Sequence, residues 1–210
     1  MIIYLVRHGQ TDGSREGRYC GAIDIPLNAT GLAMAEALAS FYAGEPWAAI
    51  YASPLQRARQ TAEPLCKRTG LPLQVEAGLR EIEYGEWEGV LPEEARARDP
   101  KLFADWEADP GDVAPPGGES GRQIAARAVA ALEHIRARHP DGQVLAVAHK
   151  ATIRVLVCAL MGIDVSLFRA RIAQPVGCVT VVEFKKSGPM LKKLGDNCHL
   201  PPELRKEEGT

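Results

Sequence analysis

Ile2-Ile3-Tyr4-Leu5-Val6-Arg7-His8-Gly9-Gln10 is the stretch that decides the fold. Five consecutive apolar residues, three of them β-branched, read as a strand buried on both faces, as in a parallel sheet covered by helices. Charge appears only at the strand's C-terminal end. Open α/β sheets bind ligands there, because the loops leaving the strands form the crevice. An adjacent guanidinium and imidazole, followed by a glycine that lets backbone approach a ligand closely, make an anion site with a nucleophile inside it.

A second run obeys the same logic: Val144-Leu145-Ala146-Val147-Ala148 is fully apolar and ends at His149-Lys150. Between the two runs the chain alternates in the same α/β manner. Residues 11–25 read as loop, and Thr30 is placed to cap a helix reaching to about Tyr42. Residues 47–51 form a strand, and Ser53-Pro54 turns into a helix with Ser53 as cap and Pro54 in the first turn. Arg57 then sits on that helix's first turn, at the same sheet edge as Arg7 and His8.

Residues 73–75 suggest a further strand, and 78–89 an acidic, aromatic loop carrying Glu81, Glu83, Glu86 and Glu88. Residues 92–106 read as helix broken at Asp99-Pro100. Residues 109–118 are a surface loop, and Ser120-Gly121-Arg122-Gln123 opens a long helix with a capping box. Helix resumes over 151–161, and 178–184 with 190–194 form a terminal hairpin. The expected architecture is a three-layer α/β/α sandwich. Its central sheet is mostly parallel with one antiparallel edge strand, in one domain over 1–200, followed by a mobile tail over 201–210.

Composition narrows the class. The 210 residues are 46% hydrophobic and 25% charged, with a formal charge of -2, so no broad basic surface exists for nucleic acid or membrane. No apolar stretch approaches the roughly eighteen residues of a membrane span, and the N-terminal run is too short for a signal peptide. Cys20, Cys66, Cys158, Cys178 and Cys198 are odd in number and scattered, which points to reduced thiols and a cytoplasmic setting.

Of five histidines, His134, His139 and His199 have structural readings; His139, beside a helix C-terminus, is explained by the helix dipole. His8 and His149 alone end apolar strands. Neither has a histidine or cysteine partner at i+2 to i+4, and a neighbouring arginine repels a divalent cation, so no metal is assigned. Phosphoryl transfer fits better, with Arg7 and Arg57 gripping phosphate oxygens bidentately and a neutral imidazole nitrogen attacking in line.

Leu5-Val6-Arg7-His8-Gly9-Gln10-Thr11 resembles the signature of the histidine phosphatase superfamily, the phosphoglycerate-mutase-like proteins. The resemblance extends in family order through Asp24, Pro26-Leu27, Ser53-Pro54-Leu55-Gln56-Arg57-Ala58, Leu79-Arg80-Glu81-Ile82, Trp87-Glu88-Gly89, Gly117-Gly118-Glu119-Ser120 and Val147-Ala148-His149. It implies that His8 becomes phosphohistidine, that Arg7, Arg57 and His149 hold the phosphoryl group, and that Glu81 serves as acid and then base without any cofactor. Ser14 stands where many members have asparagine and still donates to phosphate. Lys150 stands where a small residue is usual, and either adds a positive charge favouring a second acidic group or points to solvent. The stretch Arg18-Tyr19-Cys20-Gly21 walls the substrate side, with Tyr19 packing a sugar or base.

Three functions follow from the resemblance. Hydrolysis of a small phosphorylated metabolite leads, because the glycolytic mutases carry a longer insertion than residues 92–118 provide. Mutase-type transfer is the alternative, and a catalytically dead binding module conflicts with the intact residue set. Among phosphatases the block from Gly17 to Leu27 is similar to the α-ribazole-5′-phosphate phosphatases and compatible with broad-specificity and sugar bisphosphatase members. A homodimer is compatible with the helix faces.

Overall fold

The computed structural model describes residues 1–205 and carries a six-stranded sheet in the order β3-β2-β4-β1-β5-β6. The strands are β1 (Ile2–Arg7), β2 (Trp47–Ala52), β3 (Leu73–Val75), β4 (Gln143–Ala148), β5 (Val179–Lys185) and β6 (Gly188–Asp196). Strands β1 to β4 pair in parallel, and β5 runs antiparallel to both β1 and β6. The single reversed strand therefore lies one in from the edge, which β6 forms.

Alternation along the strands builds two cores. Ile3, Leu5, Val144 and Ala146 face helices α6 (Gly121–Arg138) and α7 (Lys150–Met161), which contribute Ile124, Leu132, Ile153 and Val155. Val6, Leu145 and Val147 face α2 (Ala29–Tyr42) and α3 (Gln56–Thr69), which contribute Leu38, Ala62 and Leu65. Successive side chains point to opposite faces, so an unbroken apolar run is what a strand covered twice requires.

Three local expectations are corrected. Residues 11–25 are not all loop: α1 (Asp12–Glu16) opens on a capping box between Thr11 and Ser14. The cap of α2 is Asn28, not Thr30, since its Oδ1 accepts from Gly31 N at 2.9 Å. Ser53 does not cap α3, whose first position has no side-chain cap; its hydroxyl meets His149 instead. The break at Asp99-Pro100 separates α4 (Pro92–Arg98) from α5 (Pro100–Ala108), and the Ser120 capping box opens α6.

His139 is also not a dipole-stabilised cation. Burial, and then Arg138, lower its pKa, and Nε2 lies 3.0 Å from the Tyr51 hydroxyl. After α8 (Phe168–Arg171) and the β5–β6 hairpin, part of the expected tail forms a helical turn, α9 (Pro202–Arg205), in which Arg205 donates to the Leu200 and Cys198 carbonyls. The remainder of that expected tail, 206–210, lies outside the described residues.

Asn28 both caps α2 and donates from Nδ2 to Gln10 Oε1 at 3.0 Å, tying the helix to the segment after β1. Asn28→Ala is expected to destabilise the protein by about 1 kcal/mol, read as a lower urea midpoint at unchanged slope.

Candidate active site

The register of β1 against β4 assembles the centre. Arg7 pairs with Ala148, so the next residues, His8 and His149, leave neighbouring strands side by side, with ring centroids 5.0 Å apart. His8 Nδ1 lies 2.7 Å from the Gly9 carbonyl. A carbonyl only accepts, so Nδ1 carries the proton, and in the neutral ring Nε2 holds the lone pair. Burial, and then Arg57 and Arg7, lower the His8 pKa well below its ordinary 6.5, which favours that neutral form.

His149 is fully buried and stands behind His8. Arg57 Nε donates to its Nδ1 at 3.2 Å, so Nε2–H donates to Ser53 Oγ at 2.7 Å. Burial, and then Arg57, push the His149 pKa down in the same way. Both imidazoles are thus held neutral, each with its tautomer set by a neighbour that can only donate or only accept.

Arg57 corrects an expectation. Its guanidinium does not present an open fork: Nη1 donates to Ile23 O at 2.8 Å, and Nη2 donates to Cys20 O at 3.1 Å and Gly21 O at 2.8 Å. With Nε on His149, four of five N–H groups are engaged, which leaves one on Nη1 for a ligand. Arg7 is 1% exposed, donates from Nη1 to Gln174 O at 2.7 Å, and has its pKa lowered to about 10, mainly by burial.

Glu81 sits over the first turn of α7. Oε1 accepts from Ile82 N at 3.0 Å and Thr152 N at 3.2 Å, and Oε2 accepts from Ala151 N at 3.2 Å. Its loop is clamped by a residue that sequence reading passed over. Arg127 donates to the carbonyls of Gly78, Arg80 and Glu81 at 2.7 to 3.0 Å and pairs with Glu119 at 2.9 Å.

Arg7, His8, Arg57 and Glu81 line a cleft of about 270 Å³ that also touches Thr11, Ser14, Tyr19, Tyr84, Trp106, Lys150, Arg154 and Arg169. His149, expected to hold the phosphoryl group, does not line it and has both ring nitrogens engaged by Arg57 and Ser53. Tyr19 stacks on Tyr84 with centroids 4.6 Å apart, forming one wall. Gly21 does not line the cleft: Glu88 Oε2 accepts from its N–H and Arg57 donates to its carbonyl. A Cβ there would collide with the Ile82 carbonyl oxygen. Gly9 likewise serves packing and not a ligand, since a Cβ would stand 2.6 Å from the Gly31 carbonyl oxygen. Glu83 and Glu88 hold structure, Glu83 through Arg80 and Glu88 through the N–H groups of Gly21, Ala22 and Tyr84.

Lys150 faces the cleft and not solvent alone. Burial first, then Arg7 and Arg154, lower its pKa from 10.5 to about 7, against an opposing pull from Glu81. Below about pH 7 the folded protein carries this disfavoured charge in full; above 10.5 neither folded nor unfolded chain carries it. Lys150→Met is therefore expected to raise Tm at pH 7, with the gain shrinking as pH rises toward 10.5. A gain that stays constant with pH contradicts the assignment.

Known proteins are similar to this chain over nearly its whole length. The sequence pattern of the histidine phosphatase superfamily (branch 1) matches residues 3–197. Phosphoserine phosphatase 1 of Hydrogenobacter thermophilus is 33% identical over 202 residues, covering 94% of this chain and 93% of the relative. The adenosylcobalamin/alpha-ribazole phosphatase of Salmonella typhimurium is 26% identical over 204 residues, covering 97% of this chain and 100% of the relative. YhfR of Bacillus stearothermophilus superposes with a TM-score of 0.89 at 31% identity, covering 94% of this chain and 98% of that structure. With the pattern matched from the first strand to the sixth and a full-length relative one-third identical, the chain belongs to the histidine phosphatase superfamily, branch 1.

Proposed function

We propose that this member of a phosphatase family hydrolyses a small phosphate monoester in two steps, through a phosphohistidine on His8 and without a metal. The observation that carries the reading is the Nδ1–H donated to the Gly9 carbonyl, which leaves the Nε2 lone pair of a neutral His8 for the cleft. In the first step Nε2 forms the N–P bond as the ester P–O bond breaks, and Glu81 gives its proton to the leaving oxygen. In the second, Glu81 takes a proton from water, whose oxygen attacks phosphorus while the N–P bond breaks. Arg7 and the remaining Nη1–H of Arg57 answer the charge on the equatorial oxygens, supplying side-chain cations where other phosphatases use metal ions. The Ser14 hydroxyl, expected to donate to phosphate, gives its proton to the Thr11 carbonyl at 3.0 Å instead.

Two features support hydrolysis over mutase-type transfer. The cleft is bordered by α5 and the α8 region, and only residues 92–118 stand between the acid motif and the helix leading to β4, a short segment with which to seal a phosphoenzyme from water. Relatives named for phosphoserine and for alpha-ribazole 5′-phosphate hydrolysis bracket the ester chemistry to test.

The test is phosphate release from p-nitrophenyl phosphate, O-phosphoserine, α-ribazole 5′-phosphate and 3-phosphoglycerate with EDTA present. Release is expected to survive EDTA and to vanish in His8→Ala. Loss of release on chelation, or isomerised 3-phosphoglycerate in place of free phosphate, overturns the reading. Glu81→Gln is expected to slow alkyl esters by about 10²- to 10⁴-fold and p-nitrophenyl phosphate far less, because nitrophenolate leaves without a proton. Equal losses on both substrates would assign the leaving-group proton to another residue.

A further inference from the structure

Three cations in the cleft have no part in the chemistry just described. Lys150 opens α7, Arg154 lies one turn further on the same face, and Arg169 reaches in from α8. A rise of about 1.5 Å per residue sets the first two roughly 6 Å apart along the axis. They are held together against their mutual repulsion: each has Arg169 among the charges that lower its pKa, behind burial as the largest cause.

The fields of Glu81 on Lys150 and of Tyr84 and Glu81 on Arg154 answer this charge only in part. Among the described residues none of the three is ion-paired with a carboxylate, and Arg154 Nε and Arg169 Nη1 are buried with no hydrogen-bond partner. A buried N–H left unsatisfied is costly, and native proteins keep few of them outside places where a ligand supplies the acceptor. The Arg169 guanidinium lies flat over the Trp106 ring, 3.9 Å from its centroid. Stacking occupies the face of that group; in its plane one hydrogen bond joins the Tyr19 hydroxyl, and Nη1 is left available. Among the described residues the acidic groups on the cleft wall are Glu81, engaged at the start of α7, and Glu107, which pairs with Arg96 at 3.3 Å.

We infer that Lys150, Arg154 and Arg169 form a second anion subsite, which selects phosphate monoesters carrying another anionic group a few bonds from the ester oxygen. The inference rests on the phosphatase reading for the position of the reacting phosphoryl group, beside His8 and Arg7. Arg7 and Arg154 line the same cleft of about 270 Å³, and Arg154 is among the charges that lower the Arg7 pKa, so the skeleton joining the two anions is short. A neutral alcohol such as a nucleoside leaves the subsite empty. Arg154 is the specificity-determining residue, and Lys150, with its pKa lowered to about 7, regains its proton when the anion arrives.

The experiment compares matched esters. 3-Phosphoglycerate and glycerol 3-phosphate differ only in a carboxylate replacing a hydroxymethyl group. Glycerol 1,3-bisphosphate, whose two esters are equivalent, asks the same of a second phosphoryl group. The protein is expected to favour at least one anion-bearing ester over glycerol 3-phosphate in kcat/KM by about 10- to 100-fold, mainly through KM. The favoured member tells carboxylate from phosphoryl. Arg154→Met is expected to bring that ratio toward one, and Arg154→Lys to restore part of it; thermal melts confirm that both variants fold.

If p-nitrophenyl phosphate is hydrolysed and the three esters are treated alike, the subsite is overturned and the phosphatase reading stands. A ratio unchanged in folded Arg154→Met overturns it equally. If no ester is hydrolysed, the phosphatase reading fails, and calorimetry decides the subsite: binding of an anion-bearing ester about tenfold tighter than glycerol 3-phosphate, lost in Arg154→Met, supports it, and equal binding overturns it.

Discussion

The Nδ1–H of His8 donated to the carbonyl of the next residue is the interaction on which the rest depends. Imidazole is a nucleophile only at a nitrogen that carries no proton, and this single 2.7 Å bond selects which nitrogen that is. Burial against two guanidinium groups then holds the ring neutral, so the lone pair is present without a separate base. In the proposed reaction the same cations that keep His8 unprotonated are those that favour a phosphoryl dianion next to it. One electrostatic arrangement serves both ends of the reaction.

The sheet makes this arrangement inexpensive in conformational terms. Parallel pairing of β1 with β4 in register brings two histidines to neighbouring positions at the carboxyl edge, His8 at the cleft and His149 fully buried behind it. The first turn of α7 follows directly from His149, so the helix start that orders Glu81 and the strand that orders His149 are one continuous piece. Arg57 joins the second layer to the first, with Nε on His149 and three N–H groups on the loop carrying Cys20, Gly21 and Ile23. It is a strut of the cleft wall besides its proposed part in holding phosphate.

Much of this was legible in the sequence because it depends on local patterns. The two apolar runs ending in histidine, the break at Pro100 and the capping box at Ser120 follow from periodicity and turn chemistry, and the structure has a strand, a helix break and a helix start there. What was not legible depends on contacts distant in sequence. Ser53 had the composition of a helix cap, but its hydroxyl partner is 96 residues away. Gly9 suggested room for a ligand, while its real neighbour is the backbone of Gly31. Arg127, on which the sequence carries no signal of a site, clamps three carbonyls of the Glu81 loop. Arg154 was within reach of sequence reasoning: once Lys150 opens a helix over the cleft, the residue four further on shares its face.

The most direct measurement is rapid chemical quench of the protein mixed with an excess of ³²P-labelled p-nitrophenyl phosphate, followed by mapping of the labelled peptide. The account predicts label that survives alkali and is lost in acid, as expected of a phosphoramidate, on the peptide holding His8, formed as fast as the first equivalent of nitrophenol appears. Acid-stable label, label on any other residue, or a full burst of nitrophenol without protein-bound phosphate would contradict it.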